Sequence, residues 1–385
     1  MAGLDYEVII IGGGPSGSAA ALNLAGYGFD VCLIEKKIFP RETLCGEFLS
    51  GEVFNNLRVL SIDQQFLSLN PRLIKSFGVF FENGQRFSGN FDFNAFGIKR
   101  SKFDSFLLDS VKSRGIKVIQ PGEVKEIYKD HEKFKLKVKQ PEGGEIVLKT
   151  NNLIAAYGKR NSLDLKLKRS FSTFKTGFNG IKYHVSNEYF NSYEKDEIHI
   201  YTGKNIYCGI NYVDDETVTL CVLQKRMETE GSFKQHLLEL FNSNNNFNRI
   251  LKERFFEEIN NMKVYGTGNI YFGRRNKVEN GIFMIGDAAG VISPFSGDGI
   301  GMAFDSAKLA AEILLNQKKN NKVSQNSFKL YKKNWEKLFG SRILISRILQ
   351  NFLLKSSYKK FASPTIDILN RFPSFSSIIV RKTRS

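Results

Sequence analysis

The sequence predicts an α/β protein in which a parallel sheet layered with helices is interrupted by an inserted antiparallel sheet and followed by C-terminal helices. Three observations predict it. A β-branched apolar run at residues 6–11 leads directly into Gly12-Gly13-Gly14-Pro15-Ser16-Gly17 and a helix-forming stretch, with another apolar run at 30–34. A second strand, glycine-rich turn and helix recur at 281–315. Between them, residues 77–87 read as strand–turn–strand about Asn83-Gly84, and 204–223 as two strands joined at Asp214-Asp215-Glu216. The length of 385 residues suits two or three interlocked domains, and 42% hydrophobic residues suffice for a packed core, so disorder as the main state is excluded. No apolar run reaches the roughly 18 residues of a bilayer-spanning helix.

The first unit is G-x-G-x-x-G in a strand–turn–helix context, with Glu35 ending the second strand 18 residues after Gly17. Gly12 permits the tight turn, Gly14 lets a pyrophosphate approach the backbone, and Gly17 lets helix and strand pack closely. The helix N-terminus directs free N–H groups and partial positive charge at phosphates. Glu35 can accept from ribose hydroxyls and would repel a 2′-phosphate, which favours FAD or NAD over NADP. The expectation is a Rossmann-like dinucleotide-binding unit.

The later segment places Gly286-Asp287 at the carboxyl end of a strand over 282–285, where open α/β sheets bind ligands. Ser296-Gly297-Asp298-Gly299-Ile300-Gly301 then opens a helix whose N-terminus can stabilise negative charge developing on a reduced flavin.

With these stretches and Gly97–Leu107 (GIKRSKFDSFL), the chain resembles FAD-dependent oxidoreductases of the p-hydroxybenzoate hydroxylase fold, within the geranylgeranyl reductase-like branch. The resemblance implies a Rossmann-like (GR2-type) FAD-binding domain in which Gly12, Gly14, Ser16 and Gly17 hold the pyrophosphate and Glu35 the adenosine ribose. It also implies Arg100 near the phosphate–ribityl region, Val124 on the adenine, Asp287 on a ribityl hydroxyl, and Gly299 and Ile300 at the flavin. A solvated surface position is the other reading of Arg100. The resembled reductases carry a cysteine–glycine pair over the flavin, matched by Cys45-Gly46. Cys45 reads either as a thiol that relays a proton or tunes the flavin, or as a small wall residue. Glu47 is expected to pair with Arg41.

Two departures bear on the reaction. Ala156-Tyr157-Gly158 stands where many hydroxylases of this fold carry an Asp-Gly pair that helps bring FAD and NADPH together. The isoprenoid reductases' Tyr-x-Trp-x-Phe-Pro signature survives only as Tyr207, followed by Gly209, Asn211 and Tyr212. Tyr207, Asn211 and Phe295 are assigned to the substrate pocket. Flavin halogenases of the fold need Trp-x-Trp-x-Ile-Pro, and with Trp335 as the only tryptophan that chemistry is disfavoured. No second nicotinamide-type unit is present, so the electron donor, NAD(P)H or a protein, is external. The expected function is C=C reduction by reduced flavin on a small hydrophobic substrate, carrier-bound or membrane-dissolved. The alternative is a monooxygenase using a C4a-hydroperoxide.

The expected division is a discontinuous FAD-binding domain (1–75, 96–160, 265–316), a substrate domain (76–95, 161–264) and a basic C-terminal helical region (317–385). The polar run 242–248 reads as a solvated loop. Residues 328–385 hold 13 basic side chains against Glu336 and Asp367, so they carry +11 of the formal net charge of +17. Tyr331, Trp335, Leu338, Phe339, Arg342 and Ile345 recur there at helical spacing. This helix either meets an anionic membrane or acidic partner, or caps the substrate domain with its lysines solvated. Specific nucleic-acid binding is not expected, because no recognition motif accompanies the charge. Cys32, Cys45, Cys208 and Cys221 form no C-x-x-C pair and the four histidines no cluster, so no metal site is expected; Cys32 and Cys221 read as buried apolar positions. Without a secretory signal the expected location is cytoplasmic, with a peripheral membrane position as the alternative.

Overall fold

The structure is a computed structural model that describes residues 4–191, 193–225, 232–320 and 324–354. Strand β1 (Leu4–Ile11), helix α1 (Pro15–Gly26) and strand β2 (Val31–Ile34) open the chain. β1 and β2 pair in parallel, Val8 opposite Val31 through Ile11 opposite Ile34, and all eight residues are buried. Helices cover both faces of such a sheet, which explains its unbroken apolar runs.

The chain then crosses to a second sheet through β3 (Phe48–Leu49), α2 (Gly51–Val59), α3 (Asp63–Leu67), β4 (Arg72–Phe80) and β5 (Arg86–Gly97). It returns by α4 (Arg100–Ser113), β6 (Lys117–Ile119), β7 (Glu123–Asp130), β8 (Lys133–Lys139) and β9 (Glu145–Ala155). After α5 (Ser162–Lys166) come β10 (Phe178–Ser186), β11 (Glu197–Gly203), β12 (Ile206–Tyr212) and β13 (Thr217–Lys225). Helices α6 (Phe233–Ser243), α7 (Asn245–Ile250) and α8 (Arg254–Glu258) precede β14 (Val264–Thr267). The last elements are β15 (Gly273–Arg274), β16 (Val278–Glu279), β17 (Ile282–Met284), β18 (Gly290–Val291), α9 (Gly299–Asn320) and α10 (Ser324–Leu354).

The first sheet runs β16-β17-β9-β1-β2-β6, with the β7–β8 hairpin attached along β9. The second runs β14-β10-β13-β12-β11-β4-β5-β3. It claims Phe48–Leu49 from within the first 75 residues, begins its main insertion at Arg72, and includes all of β14. Alternation along β12 sends Cys208, Ile210 and Tyr212 into a core shared with α6–α8. Tyr207, Gly209 and Asn211 face the other way, toward the first sheet.

Two expectations need correction here. The polar run 242–248 is not a solvated loop, because Asn244 is fully buried and caps α7. Its Oδ1 accepts from Phe247 N–H and its amide donates to the carbonyls of Phe80 and Thr202. The C-terminal stripe follows Tyr331, Trp335, Phe339 and Ile343, all buried, while Leu338 is exposed. Tyr331 donates to the Met284 carbonyl at 2.7 Å, so α10 packs on the strand that ends at Gly286-Asp287. The face of α10 that carries Tyr331, Trp335, Phe339 and Ile343 is therefore covered by the protein's own core; of the segment 328–385 expected to meet a membrane, residues 355–385 lie outside the described residues. Among the described residues no helix is long and apolar enough to cross a membrane.

Candidate functional site

A cavity of about 520 Å³ lies between the two sheets and brings together almost every residue singled out in the sequence. Gly12, Gly14, Ser16, Glu35 and Val124 line one end; Cys45, Arg100, Asp287, Gly299 and Ile300 line it further along; Tyr207, Asn211 and Phe295 stand on the second-sheet side. Gly17 does not line it. A Cβ there would come within 1.8 Å of the Gly12 carbonyl oxygen, so this glycine serves the close packing of α1 on β1 rather than the wall. Gly12 itself has φ +108, and a Cβ on it would meet the Ala156 carbonyl at 2.5 Å.

At the glycine-rich end Gly14 caps α1 without a side-chain hydrogen bond, leaving that helix N-terminus facing the cavity. Glu35 is buried; it accepts from Gly13 N–H at 2.7 Å and from Lys37 N–H at 2.8 Å, which stiffens the turn. Arg41 reaches the same place: its Nη2 is 3.5 Å from where a Gly14 Cβ would stand, and its buried Nε has no partner. The expected Glu47–Arg41 pair is not formed. Arg41 lies 3.5 Å from the fully buried Asp104, and Glu47 is engaged elsewhere.

Arg100 opens α4 and is no solvated surface residue. Its Nε and Nη2 fork onto Asp104 at 2.8 and 2.9 Å, and its guanidinium also bonds the Cys45 side chain. Burial disfavours its charge, but Asp104 and Cys45 outweigh that and hold the guanidinium firmly protonated. Cys45 takes a further hydrogen bond from Glu47 N–H at 3.3 Å. Opposite it on β13, Cys221 also lines the cavity instead of being enclosed in the core, and burial pushes its thiol up to about 12.

Behind Cys45 lies a buried polar knot. The Glu47 carboxylate, fully buried, accepts from Lys182 Nζ at 2.7 Å, His184 Nε2 at 2.6 Å, Arg100 N–H at 2.8 Å and Thr219 Oγ1. Burial alone would raise its pKa; the His184 hydrogen bond and the Lys182 charge outweigh it and hold Glu47 down at about 2. Glu42, Glu47 and His184 bring three ligand-type atoms within 4.8 Å of one another, a grouping the sequence did not reveal. Lys182 already bridges the two carboxylates, 2.6 Å from Glu42, and supplies the cation the group calls for.

The altered Asp-Gly position also has a physical account. The Tyr157 hydroxyl donates to Asp164 at 2.9 Å and sits 3.2 Å from Arg169, a buried pair that draws it aside. Lys159 then reaches in, donating to the Leu44 carbonyl at 3.3 Å and standing 4.0 Å from Asp287.

The far end is apolar. Phe77, Val79, Phe87, Phe91, Ile198 and Ile200 line it, with Phe77 5.5 Å from Phe91 and 5.7 Å from Phe87 between ring centroids. Sequence reasoning missed this wall by stopping at Phe87; the alternation of Phe87, Phe91 and Phe93 along β5 was the available signal.

Residues 5–325 match the FAD binding domain family. The chain belongs to that family. The residues present fit FAD: a helix N-terminus bared at Gly14, an Arg41 guanidinium beside it with an unpartnered Nε, and Glu35 at the strand end. The protein is an FAD-dependent enzyme of the group that includes geranylgeranyl reductase-like and halogenase flavoproteins. Over 87% of this chain and 83% of the relative it is 25% identical to a Pseudomonas fluorescens chlorinase of 1H-pyrrole-2-carbonyl peptidyl-carrier protein. It is likewise 25% identical to the digeranylgeranylglycerophospholipid reductase of Methanocaldococcus jannaschii, over 86% and 82%. In fold it is similar to a geranylgeranyl bacteriochlorophyll reductase-like protein from Thermoplasma acidophilum, with TM-score 0.80 at 18% identity, covering 99% and 96%.

Proposed function

We propose that this flavoprotein reduces a C=C bond in a hydrophobic substrate that is carrier-bound or membrane-dissolved. The observation that carries the reading is the single cavity that joins the glycine-rich, charged end to a phenylalanine-lined end, with Cys45 at the join. In this reading Gly12, Gly14, Ser16 and Arg41 receive the pyrophosphate, Glu35 the ribose, and Val124 the adenine. Arg100, Asp287, Gly299 and Ile300 hold the ribityl–flavin part, while Tyr207, Asn211 and Phe295 position the substrate against it. FAD, when bound, supplies the electron pair, replenished by an external donor such as NAD(P)H. Cys45 holds a proton at Sγ beside the reacting bond, or tunes the flavin, and the phenylalanine wall keeps water from that end.

The test is anaerobic. Reduced protein mixed with lipid extract or carrier-bound acyl substrates should be reoxidised with saturation of a double bond and without oxygen. Turnover that begins only when oxygen is admitted would favour the monooxygenase reading, and a further need for halide would favour the chemistry named for the chlorinase relative.

A further inference from the structure

The residue two positions after Cys45 lies in an unusual place. Glu47 has φ 59, in the left-handed region that non-glycine residues rarely adopt, and its side chain is fully buried. Every polar group it owns is engaged. Oε1 accepts from Arg100 N–H and Lys182 Nζ, and Oε2 from His184 Nε2 and Thr219 Oγ1. Its own N–H donates to Cys45 Sγ, and its carbonyl accepts from Ile98 N–H at 3.1 Å. Lys182 and His184 come from β10, Thr219 from β13 and Arg100 from the start of α4, so one carboxylate joins the Cys45 loop to both layers of the molecule. A backbone held in this conformation persists where its surroundings over-determine it, which four donors on one carboxylate do.

We propose that Glu47 is the positioning residue of this site: its carboxylate clamp fixes the left-handed turn that presents the Cys45 thiol to the cavity beside Arg100. This rests on the proposed reading that Cys45 stands beside the cofactor. The clamp acts through the carboxylate and not through the backbone alone. Glu47→Gly separates the two, because glycine adopts φ 59 freely and carries no acceptor.

The experiment uses the full-length, FAD-loaded protein and follows alkylation of Cys45 by iodoacetamide with peptide mass spectrometry, alongside the visible absorption band of bound flavin. Glu47→Gln and Glu47→Gly should each raise the Cys45 alkylation rate at least about fivefold and shift the flavin band, as the thiol loses its fixed partners. Thr219→Val and His184→Leu remove one donor each and should give smaller changes in the same direction. They carry the test if the Glu47 variants do not fold. An unchanged or lowered rate with an unchanged band in the folded variants would overturn the proposal. Restoration by Glu47→Gly of behaviour lost in Glu47→Gln would overturn it too, since backbone conformation would then be all that mattered. Wild-type protein in which Cys45 reacts equally fast with and without FAD would refute the placement of the thiol beside the cofactor. The clamp would still be judged by the ratio of variant to wild-type rates.

Discussion

Arg342 of α10 reaches Asp298 in the glycine-rich turn before α9, Nη1 to Oδ2 at 3.2 Å, with both side chains buried. One of the 13 basic residues of the C-terminal segment is thus spent inside the protein, on the turn whose helix N-terminus faces the cavity. Arg342→Met should destabilise the fold by about 3–5 kcal/mol, because it removes the buried cation that faces a buried carboxylate. The double substitution Arg342→Met with Asp298→Asn should recover part of that loss. Thermal unfolding of the FAD-loaded variants measures both, and a single variant as stable as wild type would show that the pair does not hold the turn.

Gly17→Ala should abolish FAD retention and lower the unfolding temperature. Its methyl would lie 1.8 Å from the Gly12 carbonyl, a contact with rigid backbone that no side-chain rotation relieves. Gel filtration with absorbance detection checks it, and a yellow, stable variant would contradict the packing described.

Asp287→Ala should weaken FAD binding by roughly ten- to a hundredfold, the effect of losing one hydrogen bond to a charged group. Asp287→Asn should cost less. Fluorescence titration of the stripped protein gives the constants, and unchanged affinity would remove Asp287 from the cofactor site.

Glu47 gives the stability profile an acid limb. Its carboxyl is lowered from an ordinary 4.5 to about 2, so the stability it contributes is fully present above pH 4.5 and is lost as pH falls toward 2. The shift corresponds to about 3 kcal/mol. Denaturant unfolding of wild type and Glu47→Gln across that window should show the wild-type curve falling more steeply with acid; parallel curves would mean that the buried carboxylate is not the titrating group.

What the sequence made legible was local. Gly12, Gly14, Gly17 and Glu35 lie within 24 residues, and their chemistry follows from spacing along one strand–turn–helix unit. The helical stripe of Tyr331, Trp335 and Phe339 was legible for the same reason, since period alone identifies a packed face. The partners of Glu47 were not, because Lys182 is 135 residues away on β10 and only the tertiary fold brings the two together. Arg41 was assigned to Glu47, six residues on, whereas Asp104 reaches it through the packing of α4. Asn244 hid inside a run of polar residues because a buried cap and a solvated loop share one composition.

The way the chain shuttles between its sheets has an evolutionary consequence. β3, β4 and β5 leave the first sheet and α4 re-enters it, after which β10–β14 leave again and β16–β17 return. No continuous stretch of gene encodes either layer, so a new substrate layer cannot be acquired by recombining one segment. On the proposed reading, divergence to another substrate proceeds residue by residue along the strand faces that line the cavity, at positions such as Tyr207, Gly209 and Phe91, while the glycine turns stay as they are.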